Sequence, residues 1–302
     1  MNSSMTDKPE FPYFSEEHSV ETVNARIDAA KANPRLVQVM TALTRHLHAF
    51  IKEVEPDHDE WMTGIKFLTG TGHMCTEWRQ EFILLSDVLG VSSLVDTVNH
   101  RASNGSTEHT ILGPFHVADQ PRRALGDSIC LDGKGEPLAV WGRVLSTDGT
   151  PIAGATVDVW QSNDDGFYDV QQKGVQPDMN MRGMFETGPD GRFWFRSSRP
   201  RYYPIPDDGP VGKLLGALGR HPNRAAHIHL IVEKPGFDRL VTHIFEPNCP
   251  YLREDAVFGT KDSLIGDFRK STDAARAAEL GFPAAPFFWE VAADFVLAPK
   301  RR

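Results

Sequence analysis

The chain has 302 residues, enough for one large domain or two smaller ones around a substantial hydrophobic core. Its 32 lysines and arginines against 41 aspartates and glutamates give a formal charge of −9 without a basic block, which argues against nucleic-acid binding. Cys75, Cys130 and Cys249 are too scattered for a disulfide framework, and without an apolar leader or membrane span we expect a soluble cytoplasmic protein.

The N-terminal third has the texture of a helical domain. Residues 1 to about 15 are polar and predict a loosely held arm. Four helices are predicted after it: from Asn33-Pro34 to Pro56, from Glu60 to Thr69 before the breakers Gly70 and Gly72, from Thr76 to Leu89, and a short one with Leu94, Val95 and Val98. Their apolar stripes are typical either of a plain helical core or of a helix–helix dimer face.

A turn cluster marks the predicted domain boundary. Asn104-Gly105-Ser106 separates a helical domain of residues 1–105 from a second domain of residues 106–302. His46 and His48 lie within the first predicted helix, where residues two apart do not face each other, so they predict no metal site.

The second domain consists of short strand signals separated by turns. The predicted strands are Val140 to Leu145, Thr156 to Trp160, Arg192 to Arg196, His227 to Val232, Leu240 to Phe245 and Phe287 to Leu297. Strands joined by hairpin signals without intervening helices predict an antiparallel β-sandwich, and therefore an α+β chain that is mainly β. Carrier and adhesive modules share this architecture, so the fold alone does not determine the function.

One long stretch, from Arg199 to Arg224, shows no regular pattern and is rich in proline and glycine. A loop of this length inside a compact domain is usually functional or disordered. Tyr203 near its start and Arg224 at its end favour a functional loop.

A His-x-His pair follows that loop. His227 and His229 lie in an apolar run that predicts a strand, so both imidazoles point to the same side, about 7 Å apart along the chain. One metal ion can bridge that span. The alternative is a pair of hydrogen-bonded core histidines.

Tyrosines favour the metal interpretation. The chain has only five, yet Tyr168, Tyr202 and Tyr203 all come shortly before the histidine pair. A phenol has a reference pKa of about 10, so only a strong Lewis acid would keep it deprotonated at neutral pH. Two imidazoles with two phenolates suit ferric iron better than zinc, magnesium or calcium.

At this point the sequence resembles the intradiol ring-cleaving dioxygenases of catechols. The motifs that carry the resemblance are Leu112-Gly113-Pro114-Phe115, Gly166-Phe167-Tyr168, Tyr203-Pro204-Ile205-Pro206 with Asp208-Gly209-Pro210, and Gly219-Arg220-His221-Pro222 leading to His227-Ile228-His229. The resemblance extends from about Trp61 to about Phe268.

The resemblance implies one non-haem Fe(III) per chain, held by Tyr168, Tyr203, His227 and His229 in that order. Tyr202 is excluded because the family places its second ligand tyrosine directly before the Pro-x-Pro segment. The helical region would then serve as a dimerisation domain of a homodimer, and a phospholipid would lie between the two copies.

Catalytic roles also follow from the resemblance. Tyr203 would leave the metal and accept a proton from the substrate, and Arg224 would stabilise negative charge near the ring-cleavage intermediate. For Arg224 the alternative is a surface salt bridge. His243 stands where many members have glutamine, and it could donate a hydrogen bond or simply fill its strand.

By motif position, seven residues should line the ring pocket: Leu84, Asp87, Ile111, Pro114 and Phe115, with Ala256 or Val257 opposite. Asp87 is informative because catechol-specific relatives tend to have an apolar residue there. A buried carboxylate needs a partner, which a third ring hydroxyl would supply.

Together with the run from Tyr251 to Gly259, this resembles the branch of the family that cleaves hydroxyquinol (benzene-1,2,4-triol). We therefore expect reaction of hydroxyquinol with O2 to give 3-hydroxy-cis,cis-muconate, the tautomer of maleylacetate. Three other interpretations remain at this point. They are the same chemistry on catechol or chlorocatechol, a zinc hydrolase that uses His227 and His229, and a ligand-binding sandwich module without catalysis.

Overall fold

The computed structural model describes residues 12–28, 31–77, 79–101, 105–282 and 285–300. It divides into two compact units between Thr69 and Gly70. The predicted arm lies mostly outside the described residues. The predicted boundary at residue 105 follows the change in sequence texture, and it stays a prediction.

The first unit contains α1 (Ser19–Asn24), α2 (Pro34–Val54) and the start of α3 (His58–Met74). The Asn33 side chain accepts hydrogen bonds from Arg35 N at 2.9 Å and Leu36 N at 3.2 Å, so the predicted N-cap is confirmed. No residue of α2 is buried. Its exposed apolar residues recur every three or four positions: Leu36, Val39, Met40, Leu43, Leu47, Phe50, Ile51 and Val54.

Two helix boundaries differ from their predictions. The helix predicted to end at Thr69 continues through Gly70 and Gly72 to Met74, because a single glycine lowers helix stability by only about 1 kcal/mol. The helix predicted from Thr76 begins at Glu81 instead. Its first predicted turn is replaced by a local bend, in which Thr76 Oγ1 accepts from Arg79 N at 3.0 Å.

The second unit contains the remaining helices, α4 (Glu81–Val88), α5 (Val91–Asn99), α6 (Pro210–Ala217) and α7 (Ala274–Glu279). The strands are β1 (Pro137–Ser146), β2 (Thr156–Trp160), β3 (Arg182–Glu186), β4 (Arg192–Ser198), β5 (Tyr203–Pro204), β6 (Asn223–Arg224), β7 (His227–Glu233), β8 (Leu240–Phe245), β9 (Arg269–Ser271), β10 (Phe288–Ala292) and β11 (Phe295–Leu297). The short helix α5 and the first five predicted strands are confirmed.

The strands form two main sheets and one small one. The first has the order β11-β1-β10-β9 with β4 paired to β1, the second has the order β3-β2-β7-β8, and β5 pairs with β6. Pairings between these named strands are antiparallel except those of β1 with β10 and β11. Buried residues from both main sheets form one core cluster: Leu138, Val140, Val144, Val157, Val159, Phe193, Phe195, Ile228, Leu230, Val232, Val291 and Phe295. The predicted α+β class with a β-sandwich is confirmed.

The single strand predicted at the C-terminal end is two strands, β10 and β11. Ala293 N donates to Trp141 O, and Asp294 accepts from Arg143 N, so the chain steps away from the ladder between them. A Cβ on Gly142 would lie 1.9 Å from Ala293 O, and only glycine permits this approach.

The prediction that residues 199–224 are irregular is partly wrong. It contains α6, which begins at Pro210, and its two ends pair as β5 and β6. This pairing places Tyr203 directly opposite Arg224. No helix within the described residues is long and apolar enough to cross a bilayer.

Candidate metal centre

Strand β7 presents two different buried faces. Ile228 and Leu230 point into the core between the sheets, and His227 and His229 point the other way. His229 lies in register between Trp160 on β2 and His243 on β8. The Trp160 ring stacks on His229 at 4.6 Å, and His243 meets it edge-on at 4.2 Å. Both histidines of the pair are 1% exposed.

The structure brings Tyr168 and Tyr203 to this histidine pair. The two hydroxyls lie 3.0 Å apart, and Tyr168 Oη lies 3.0 Å from His229 Nε2. Both phenols are buried. Tyr202 is 45% exposed and packs edge-on against Tyr251 at 4.8 Å.

Four possible ligand atoms therefore converge on one point. His227 Nδ1 donates to Ala225 O at 2.6 Å, so Nε2 of the neutral ring carries the lone pair. That atom lies 3.0 Å from His229 Nε2. Ligand bonds of about 2.0 to 2.1 Å at right angles would place neighbouring ligand atoms about 3.0 Å apart, so the four atoms fit a single metal ion.

The protonation states indicate which ion fits. Burial lowers the pKa of His227 and His229 well below the usual value, so both rings are neutral, as ligands must be. Burial, together with the neighbouring Tyr203, raises the pKa of Tyr168 well above its usual value. Only a strongly polarising cation would hold this phenol as phenolate, and this donor set suits Fe(III).

A third histidine, His243, lies close enough to be considered as a further ligand in the zinc alternative. One nitrogen each of His227, His229 and His243 lies within 4.8 Å of the others. The His243 ring, however, stacks on His227 at 4.5 Å with a 22° interplanar angle, whereas ligand rings direct their nitrogen edges at the ion. Tyr168 Oη, in contrast, lies 3.0 Å from both His229 Nε2 and Tyr203 Oη, which favours the Tyr2His2 set.

Arg224 is buried beside these atoms and does not form the surface salt bridge considered above. Its Nη1 lies 3.4 Å from Tyr203 Oη and 3.2 Å from His227 Nε2. Its partner is the buried Asp255, with two contacts of 3.3 Å. Burial lowers the pKa of the guanidinium, but Asp255 and the two phenols reverse the shift, so Arg224 stays charged.

Asp255 is a residue that sequence reasoning missed as a functional one. Its carboxylate also accepts from Gly259 N at 2.8 Å and from Ala225 N at 3.2 Å. The only sequence signal was an acidic residue directly before the apolar pair Ala256-Val257.

Most predicted pocket residues lie together. Leu84, Ile111, Ala256 and Val257 belong to one apolar cluster with Val88, Ile205, Val211 and Leu215. Phe115 stacks on Tyr168 at 4.5 Å, and Pro114 is exposed. Asp87 is half-buried, and burial raises the pKa of its carboxyl, with a smaller contribution from Asp255 and opposition from Ser92 and Arg224. Their contact with a substrate stays a prediction.

Two other features lie outside this centre. Asp96, His100 and His109 could offer ligands, but the two imidazoles stack face to face at 4.1 Å and 7°, so their nitrogen edges do not converge. A cleft of about 500 Å³ lies against the first sheet. Two of its arginines are already paired, Arg143 with Asp294 and Arg276 with Glu290.

Family models match both parts of the chain. A model described as Catechol dioxygenase N terminus matches residues 33–107, and one described as Dioxygenase matches residues 113–299.

Curated proteins and solved structures resemble the chain over nearly its whole length. A hydroxyquinol 1,2-dioxygenase from Rhizobium sp. is 62% identical over 95% of this chain and 96% of its own. A 6-chlorohydroxyquinol 1,2-dioxygenase from Cupriavidus pinatubonensis is 48% identical over 90% and 98%. A crystal structure of hydroxyquinol 1,2-dioxygenase from Pseudomonas putida superposes with a TM-score of 0.87 at 43% identity, covering 94% and 97%.

Proposed function

This chain belongs to the intradiol ring-cleaving dioxygenase family, and on that premise we propose that it cleaves hydroxyquinol with O2 to 3-hydroxy-cis,cis-muconate. The observation that carries the proposal is the convergence of two phenol oxygens and two imidazole nitrogens at 3.0 Å spacings. The relatives named for hydroxyquinol support the choice of substrate.

The family depends on non-haem iron, and we propose one Fe(III) per chain, held by Tyr168, Tyr203, His227 and His229. When bound, Fe(III) supplies the Lewis acidity that deprotonates a chelating diol and the electron deficiency that makes its ring reactive toward O2. The chain orients this ligand set itself. Ala225 O fixes the His227 tautomer, and the Trp160 stack holds the plane of His229.

Two groups would handle protons and charge. Tyr203 Oη would accept one proton of the diol, and Arg224 Nη1, 3.4 Å away, would stabilise negative charge on or near that oxygen. Asp255 orients the guanidinium through two contacts. An oriented donor of this kind is worth about 2.7 to 4 kcal/mol in transition-state stabilisation.

Asp87 would select the substrate. A half-buried carboxylate near Arg224 can accept the third hydroxyl of hydroxyquinol, which catechol lacks. The apolar cluster of Leu84, Ile111, Ala256 and Val257 would enclose the ring with Phe115 and Pro114.

The alternative within the family is catechol or a chlorocatechol. A catechol 1,2-dioxygenase from Acinetobacter radioresistens superposes with a TM-score of 0.79 at 27% identity. Steady-state O2 uptake by the iron-loaded protein separates the two. We expect kcat/KM for hydroxyquinol to exceed that for catechol by at least about tenfold, and Asp87→Ala to erase most of this ratio. Equal rates on both diols would favour the alternative.

We also propose a homodimer formed through residues 1–105. The apolar stripe of α2 is unburied, and contiguous exposed apolar residues often mark a surface that another protein chain covers. A phospholipid between the copies would cover part of that surface. The chain has a mass of 33.7 kDa, and light scattering should give twice that mass. Native mass spectrometry would detect the lipid.

The free thiols of Cys75, Cys130 and Cys249 fit a reducing cytoplasm.

A further inference from the structure

One guanidinium joins the two walls of the proposed substrate pocket. Arg220 Nη1 donates to Val88 O at 2.6 Å, at the end of α4. Its Nη2 donates to Ala256 O at 3.0 Å, in the turn that follows Asp255. The two acceptors are far apart in sequence, and each follows a residue that the proposed chemistry uses.

Further contacts join the same two segments. Ser93 Oγ donates to Val257 O at 2.9 Å. The Phe258 ring lies against Gly90, where an added Cβ would be 3.3 Å from Phe258 Cδ2, and under the Arg220 guanidinium at 5.0 Å. Residues 81–93 and 255–258 therefore form one clamped pair of walls.

The Arg220 contacts connect the two parts of the pocket that are proposed to recognise the substrate. Asp87 directly precedes Val88, and Asp255, which orients Arg224, directly precedes Ala256. The separation of the two carbonyls that Arg220 holds therefore fixes the separation of Asp87 from the Arg224–Asp255 pair.

We propose that Arg220 is a specificity-determining positioning residue, which holds Asp87 at the distance that a ring with a third hydroxyl requires. The inference rests on the proposed function. Arginine suits this position because its planar fork presents two donors to two carbonyls at once, which the single ammonium of lysine does not reproduce.

Loosening the clamp should affect hydroxyquinol far more than catechol. Displacement of Asp87 removes a contact that only the third hydroxyl makes, so Arg220→Gln should lower kcat/KM for hydroxyquinol about tenfold, chiefly through KM. Catechol should change by about twofold at most. Ser93→Ala weakens the same clamp without removing a charge, and it should shift the ratio in the same direction by a smaller factor.

The experiment measures kcat and KM on both diols for the iron-loaded parent, Arg220→Lys, Arg220→Gln, Ser93→Ala and the control Arg253→Gln. Arg253 is exposed on the same turn and has no part in the proposed machinery. Hydrogen exchange of residues 81–90 and 255–259 is followed in each protein. A tenfold fall in the hydroxyquinol-to-catechol ratio, with faster exchange in both segments, supports the clamp.

A ratio within twofold of that of Arg253→Gln overturns the proposal, whatever the exchange rates. An iron-loaded parent that cleaves neither diol overturns the proposed function instead. If the parent is inactive, hydrogen exchange still tests whether Arg220 joins the two segments. Unchanged exchange in both segments of Arg220→Gln would show that it does not. Faster exchange in both segments would show that Arg220 joins them.

Discussion

The two faces of β7 are equally buried, yet they differ in what satisfies their side chains. On the inner face Ile228, Leu230 and Val232 pack into the core between the sheets. On the outer face the Nε2 atoms of His227 and His229 lie 3.0 Å apart. His229 Nε2 also lies 3.0 Å from Tyr168 Oη, so polar atoms meet on this face where the inner face has only carbon.

This difference shows that burial alone does not distinguish a hydrophobic core from a functional site. A buried polar atom without a partner lowers stability, and native structures tolerate it mainly where a ligand, water or ion completes the set. The convergence of two imidazole nitrogens and two phenol oxygens at 3.0 Å spacings is therefore the stronger signal. The following predictions test this comparison between the two faces.

The largest effect is expected on the outer face. His229→Ala removes one of the four converging atoms, so iron content should fall to background and kcat by at least roughly 1,000-fold. Metal analysis and O2 uptake measure both. An iron-replete, active variant would show that the outer face is only a second core.

Arg224→Lys tests the charge beside the converging atoms. The variant retains a cation but loses the fork that Asp255 orients, so kcat should fall about 100-fold with little change in KM or iron content. A rise in KM at constant kcat would instead assign Arg224 to ground-state substrate binding.

The inner face supplies a matched control one residue away from His229. Leu230→Ala should lower the free energy of unfolding by about 2 to 5 kcal/mol, because it leaves a cavity in the core. The iron-to-protein ratio and the kcat of the folded fraction should stay within about twofold of the parent. Denaturant unfolding with metal analysis checks both, and a loss of iron here would erase the contrast between the faces.

Asp87→Asn should show the smallest effect, and one that depends on pH. Burial raises the folded-state pKa of this carboxyl above its ordinary value of 3.8, so ionised Asp87 lowers stability at neutral pH. The variant should therefore have a higher Tm than the parent at neutral pH. The difference should shrink as the pH falls through the raised pKa, and it should vanish below 3.8, where the carboxyl is protonated in both states.

The same Asp87→Asn variant should lose preference for hydroxyquinol over catechol, since a neutral amide is a weaker acceptor. A Tm difference that is constant with pH, or an unchanged preference, would show that Asp87 is not the buried acceptor described here.

Local chemistry predicted the parts of the fold that depend on neighbouring residues. The Asn33 cap is visible in the sequence because it depends on residues two and three positions apart, and β4 is visible because it alternates buried and less buried side chains. The short strands β3 and β9 were missed. The glycines in α3 were overrated as breakers, since tertiary context overrides propensity.

The candidate site was predictable only in part, for a similar reason. The His227–His229 pair is local, and spacing alone placed both rings on one side. The choice of Tyr203 over Tyr202 came from family resemblance. The Arg224–Asp255 pair, 31 residues apart, and the Trp160 stack on His229 arise from strand pairing and turn packing, which no local pattern reveals.

The most direct test of the central claim is a visible absorption spectrum of the iron-loaded protein, before and after adding hydroxyquinol without oxygen. Tyrosinate bound to Fe(III) predicts a red to burgundy band that shifts when the diol chelates. Tyr168→Phe, which removes one phenolate, should weaken that band. A colourless protein with stoichiometric iron would contradict the account, because the phenols on the outer face would then not be ligands.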